Sequence, residues 1–108
     1  MDIAKKILTE IELKEKSVEE LHRSLDELTN LELEEADKRT KLMNSDLTKV
    51  IDGKITEKAK VAYCDSQLKK ETEQIAWLKN DVSKLKKYIE LHDDKISCYK
   101  YMIRELEL

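Results

Sequence analysis

Residues 61–107 read VAYCDSQLKKETEQIAWLKNDVSKLKKYIELHDDKISCYKYMIRELE. With Val61 at position a of a heptad lettered a to g, Leu68, Ile75, Val82, Ile89, Ile96 and Ile103 follow at a. Position d then holds Cys64, Glu71, Leu78, Leu85, His92, Tyr99 and Leu106. Twelve of these fourteen positions are apolar or nearly so, and none breaks the alternating spacing of three and four. A helix packed in an ordinary globular core drifts off a seven-residue repeat, because its own period is 3.6. Register held over six heptads therefore predicts a coiled-coil helix over about 57–107.

Upstream, Ile7, Ile11, Val18, Leu21, Leu25 and Leu28 keep the same spacing, with Lys14 as the polar intruder. The register is expected to slip near Thr29 and Asn30, passing to an offset stripe of Leu33, Ala36, Thr40, Met43 and Leu47. A long helix tolerates such a slip as a local change of supercoil, so one helix is expected over about 3–43. Between the two lies the chain's punctuation. Asn44-Ser45-Asp46 offers helix-stopping side chains, and Asp52-Gly53 is a turn dipeptide containing the single glycine. Thr56 can cap the next helix, with Glu57 at its positive end. The connector is then 44–56, its LTKVID segment a short helical turn or irregular loop, or one arm of a small Asp-Gly hairpin. The predicted fold is all-α: an antiparallel helical hairpin in a single domain over 1–108.

Composition agrees. Of 108 residues, 42% are charged and 5% aromatic, with no proline and no phenylalanine, which removes the residues that strands and turns prefer. An apolar share of 40% in strict register argues against disorder. Charge is uneven: residues 1–43 carry 8 basic and 12 acidic side chains, and residues 57–108 carry 11 and 10. No segment is long and apolar enough to span a membrane or to form a signal-peptide core, so a cytoplasmic location is expected. Cys64 and Cys98 lie about 50 Å apart along one helix and cannot pair there; each reads as a small hydrophobe.

The second helix has more apolar surface than the first can cover. Beside its seam, positions g and c add Tyr63, Trp77, Tyr88, Leu91, Cys98 and Met102, while the first helix offers a narrow seam flanked by Glu15, Ser17, His22 and Ser24. Wide apolar faces on soluble chains mark interfaces, and two-fold homodimers are the commonest closed assembly. The predicted oligomer or partner interface therefore comprises Trp77, Leu78, Val82, Leu85, Tyr88, Ile89 and Leu91. It continues through His92, Ile96, Tyr99, Met102, Ile103 and Leu106. Two hairpins joined this way make a four-helix assembly. Helix lengths add that the first helix should run out near Tyr99, leaving Tyr99, Met102, Ile103 and Leu106 overhanging.

Catalytic chemistry finds no foothold. The chain lacks an HExxH, a CxxC, a phosphate-binding glycine loop and a nucleophile elbow, so no catalytic residue, metal ligand or cofactor is expected. His92 at d and Glu71 at d read as polar residues that specify seam register. Lys79, Lys84, Lys86 and Lys87, with Trp77 and Tyr88 among them, are the best placed for nucleic-acid contact. Glu71, Glu73 and Asp81 interleave with them, which favours a solvated flank.

The stretch LMNSDLTKVIDGKITEKAKVAYCDSQLKK, with the heptads of 75–106, resembles a loose group of small phage and mobile-element helical-hairpin proteins. That resemblance implies an acidic first helix, a connector and a capped second helix, and a protein acting in the host cytoplasm. The function expected is a non-catalytic protein-interaction module, an adaptor or inhibitor that is a homodimer with a further protein partner. The alternatives are an accessory factor in nucleic-acid recombination or processing, and a prefoldin-like chaperone subunit. Prefoldins share the helix–connector–helix plan but carry a β-hairpin that residues 48–56 are too short and polar to supply.

Overall fold

A computed structural model describes residues 2–45 and 56–107. They form three helices, α1 (Ile3–Asn44), α2 (Glu57–Gln67) and α3 (Lys69–Glu107), with no strand among the described residues. The fold is all-α. Contacts group the chain into two compact units, one of Met1–Asp26 with Asn80–Leu108 and one of Glu27–Lys79.

Helix ends follow local side-chain chemistry. The Asp2 Oδ1 accepts from the Ala4 N–H at 2.9 Å, occupying a donor that the first turn cannot satisfy internally. After Asn44, the Ser45 N–H and hydroxyl both donate to the Leu42 carbonyl, at 3.2 and 2.6 Å. Thr56 is extended, at φ −102° and ψ 161°, and its hydroxyl accepts from the Ala59 N–H at 3.1 Å, as the sequence predicts. Glu57 sits in that first turn. Replacing Thr56 by alanine should cost about 1 kcal/mol, the ordinary value of an N-cap, read as a lower urea midpoint with unchanged slope. The LTKVID segment, with the choice between helical turn and hairpin arm, lies outside the described residues.

The long second helix expected over 57–107 is instead two. Leu68 separates them, with φ −103° and ψ 14°, well away from helical values. The hydrogen bonds bridging the break persist: the Leu68 N–H donates to the Cys64 carbonyl and the Thr72 N–H to the Leu68 carbonyl, both at 2.9 Å. The Thr72 hydroxyl also donates to the Leu68 carbonyl at 2.9 Å, a back-bond that bends helices. Cys64 and Leu68 are the most buried side chains among the described residues, at 0% and 2% exposure. The break thus falls among the most buried described side chains, a preference that seven-residue periodicity does not encode.

In the unit of Glu27–Lys79, α1 meets α2 and α3 through Arg39 to Asp65 at 2.8 Å, Lys38 to Glu71 at 3.2 Å and Lys79 to Glu32 at 3.7 Å. In the unit of Met1–Asp26 with Asn80–Leu108, Lys14 meets Asp93 at 2.7 Å and Glu10 meets His92 at 2.6 Å. In the unit of Glu27–Lys79 the partner numbers fall as those of α1 rise, from Glu32 with Lys79 to Arg39 with Asp65.

The heptad of the second half is followed closely. Cys64, Leu68, Leu78, Val82, Leu85 and Ile96 are buried, and Glu71, Ile75, Ile89, His92, Tyr99 and Ile103 are half-buried; of the fourteen seam positions only Val61 and Leu106 are exposed. In α1, Ile7, Ile11, Lys14, Val18, Leu21, Leu25 and Leu28 are all half-buried, again as read. The offset stripe is a different matter. Leu33, Ala36 and Thr40 are exposed, while Leu31, Glu35, Arg39 and Leu42 turn inward beside Met43. The register does not slip. It continues through polar residues, because Arg39 donates to Glu35 of its own helix at 2.9 Å and to Asp65 of α2. These carboxylates, Asp65 foremost, hold the Arg39 guanidinium even more firmly protonated than usual.

The expected overhang is also smaller. Lys6 stands 5.6 Å over the Tyr99 ring, a cation–π distance, and Ile3 shares a surface groove with Met102 and Leu106. The first helix therefore reaches past Tyr99.

Candidate protein-interaction surface

Polar residues are built into the seam of the first unit. His92, at d, places Nδ1 2.6 Å from the Glu10 Oε2, and Lys95 reaches the Glu10 Oε1 at 3.8 Å. Glu10 is 8% exposed, the one charged residue among the buried set, so its carboxylate depends on these two partners. Reading His92 as a seam residue anticipates half of this pair. Glu10 was missed, although the spacing from Ile7 to Lys14 passes through it by three and four. A second intruder facing the first was the available signal, since the fold-back expected from sequence brings numbers adding to roughly 100 together.

In the other unit, Glu71 has one oxygen on Lys38 and the other, Oε2, buried with no hydrogen-bond partner. Hydrogen bonding to its own backbone N–H, then to Lys38, holds the Glu71 carboxyl below the ordinary range. A carboxyl that ionises more readily when folded contributes its full stability above the unfolded pKa and loses it as pH falls through the folded value. Melting temperature should accordingly fall less for Glu71→Gln than for the parent chain between about pH 6 and pH 3, followed by circular dichroism. Equal falls would show that Glu71 contributes nothing to the acid response.

The predicted interface residues divide into two sets. Leu78, Val82, Leu85 and Ile96 are buried within the single chain, and Ile89, His92, Tyr99 and Ile103 are half-buried there. The remainder faces out: Trp77 at 67% exposure, Tyr88 and Leu91 at 53%, Met102 at 46% and Leu106 at 75%. The division follows heptad position. Seam positions a and d turn toward the other segment of the unit, Leu106 at d being the exception among these residues, whereas Tyr88 and Met102 at g and Trp77 and Leu91 at c stand on the flank. Cys98, also at c, is exposed, and Tyr101 beside it is 62% exposed. Tyr101 was not among the predicted residues, because it lies at f, one step beyond the positions counted.

Of the lysines weighed for nucleic acid, Lys79 alone makes an ion pair among the described residues. Lys79 is drawn to Glu32, and Lys84, Lys86 and Lys87 are exposed on α3 with Asp81 and Glu90 within two turns. Surface depressions are open grooves along the helices; the largest described, about 620 Å³, runs past Ile11, Lys14, Val18, Asp93 and Ile96. Among the described residues no group of three or more His, Cys, Asp or Glu side chains stands ready to hold a metal ion. No helix among them is long and apolar enough to cross a membrane. No protein family, curated protein or solved structure matches the chain.

Proposed function

We propose that this chain is a non-catalytic protein-interaction module: an antiparallel coiled-coil hairpin that pairs with a second copy through the flank of α3 and serves as an adaptor or inhibitor. The observation carrying this reading is the apolar flank itself. Tyr88, Leu91, Tyr101 and Met102 are all at least 46% exposed on one helix whose seam is already filled. An isolated exposed leucine needs no explanation, but four large apolar side chains within 15 residues of one helix do. Ion pairs that join α1 to the later helices in both units support the hairpin, and the resemblance to small phage proteins supports a role in a host cytoplasm.

Sedimentation equilibrium at micromolar concentration tests the reading. A dimer is expected, and Leu91→Glu should shift it toward monomer while leaving helix content unchanged. A compact monomer in the parent chain would remove the basis of the proposal. The accessory-factor alternative makes a separate demand. Anisotropy of labelled single- and double-stranded DNA at about 50 mM salt should show nothing tighter than about 10⁻⁵ M, since clustered positive charge is what counterion release rewards. Sub-micromolar binding abolished by replacing Lys84, Lys86 and Lys87 with glutamate would favour that alternative instead. The chaperone alternative rests on residues 48–56, nearly all outside the described residues.

A further inference from the structure

We infer that the second copy docks in a crossed arrangement, each α3 lying against α1 of the other chain, with Leu91 on Leu13 and Lys84 on Glu20. The inference rests on the self-association proposed above and adds what covers the flank. With Ile11, Val18 and Leu25 at a, α1 holds Ile3, Glu10, Ser17 and Ser24 at g and Lys6, Leu13 and Glu20 at c. In an antiparallel pair, the g and c positions of both helices lie on one side of the seam, and e and b on the other. Glu10 meeting Lys95, g to g, marks the first side. The largest groove marks the second, with Glu15, Asp93 and Lys100 at e and Glu19 and Ser97 at b. The two sides differ in chemistry. The groove side is charged, whereas the other joins Leu13, 41% exposed, to Tyr88, Leu91, Cys98 and Met102. The apolar surface of this unit therefore spans both segments, and a second copy of the same two segments matches its width.

Two face-to-face arrangements close by a two-fold axis. An axis across the helices stacks α1 on α1 and α3 on α3; an axis along them sets each α3 on α1 of the other chain. In both, c meets c and g meets g, because c lies outermost on each helix. An axis along the helices permits no slide, so residues level within the chain, as Lys6 is with Tyr99 and Glu10 with Lys95, are level across the interface too. At c this sets Leu91 on Leu13, Lys84 on Glu20 and Cys98 beside Lys6. At g it sets Met102 on Ile3, Lys95 on Glu10, and Tyr88 on Ser17, whose small side chain leaves room for the ring. Charge selects this arrangement. Lys84 and Glu20 are exposed and make no ion pair among the described residues; crossed docking pairs them, twice by symmetry. Stacking leaves them on different layers, where they cannot meet. Centred on Leu13 and Leu91, it gives Glu20 to Lys6 but sets Lys84 on Cys98; centred on Glu10 and Lys95, it sets like charge on like. Residues 1–26 carry 5 basic and 7 acidic side chains and residues 80–108 carry 6 of each, so stacking also lays an acidic segment on itself.

Disulfide trapping separates the two arrangements. In a background of Cys64→Ala and Cys98→Ser, one chain carries Leu13→Cys and another Leu91→Cys. Both positions are exposed, so the seam stays intact. Crossed docking brings position 13 of one chain to position 91 of the other, while the two copies of position 91, and likewise of position 13, lie diagonally apart and too far to bridge. The chains mixed under reducing conditions and then mildly oxidised should form covalent dimer about tenfold faster than either alone, with the 13–91 linkage found by mass spectrometry of a digest. A charge exchange supplies a second readout. Lys84→Glu should weaken self-association about three- to tenfold, and adding Glu20→Lys should restore it. Rapid crosslinking of either chain alone would show each helix stacked on its own copy and overturn the inference. So would a chain that sediments as a dimer yet gains no crosslinking on mixing, or a Lys84→Glu defect that Glu20→Lys does not repair. A chain that sediments as a monomer would fail at the earlier step, the self-association reading itself, and the inference would fall with it.

Discussion

Leu85→Asp should lower the stability of the helical fold by about 4 kcal/mol or more, the largest effect of any single change considered. Leu85 is 7% exposed at a seam position between Val82 and Ile89. Removing a buried leucine side chain alone costs about 2–5 kcal/mol. An aspartate adds a carboxylate that must stay ionised in an apolar seam or take up a proton, and either costs further. The informative control is Leu91→Asp. Leu91 lies six residues on, 53% exposed, and the same substitution there should change the stability of the helical pair by no more than about 0.5 kcal/mol. Urea unfolding followed at 222 nm, at a protein concentration low enough for the parent chain to be monomeric, measures both, because self-association would add a concentration-dependent contribution that Leu91→Asp removes. Similar losses at the two positions would mean that seam and flank are not distinct surfaces.

The Glu10–His92 pair makes the second strong prediction. Two partly desolvated polar side chains 2.6 Å apart give a pair that is costly to break from one side. His92→Leu would leave the Glu10 carboxylate, buried in the seam, with only the longer contact to Lys95 at 3.8 Å. Loss of one member of such a pair typically costs about 3–5 kcal/mol when fully buried, and about half of that is expected here, since Lys95 remains. Replacing both, as Glu10→Leu with His92→Leu, removes the orphan and adds apolar packing. That variant should match or exceed the parent chain, with the coupling appearing in a double-mutant cycle. Its cost should appear as specificity: a wholly apolar stretch has less to oppose an alternative register or a larger assembly. If the double variant is as damaged as the singles combined, the pair is not a coupled unit.

The second half of the fold was legible because one physical signal dominates there. Seven-residue spacing of Leu, Ile and Val from Leu68 to Ile103 has no competing explanation, and the burial pattern follows it position by position. The continuation of α1 was misread because its inward face turns polar. Glu35 and Arg39 are poor hydrophobes by type, and what admits them to the seam is a carboxylate on another helix, Asp65. Sequence spacing within one helix carries no record of that partner. Glu10 was hidden for the same reason, paired with a residue 82 positions away. The break at Leu68 lies in backbone angles, beside a threonine back-bond, that a heptad count ignores. The outward flank was half legible: g and c positions were identified, but how much of the predicted interface the chain itself would bury depends on its own fold-back.

That fold-back is tested most directly by a disulfide between positions 10 and 92. In a chain carrying Cys64→Ala and Cys98→Ser, Glu10→Cys with His92→Cys replaces two side chains now in hydrogen-bond contact. Oxidation at low protein concentration should give an intramolecular disulfide, read on a non-reducing gel as a species of monomer mass with altered mobility, and as loss of two free thiols by mass spectrometry. Covalent dimers as the dominant product, even on dilution, would mean that the first segment pairs with α3 of another chain, and the hairpin would be wrong.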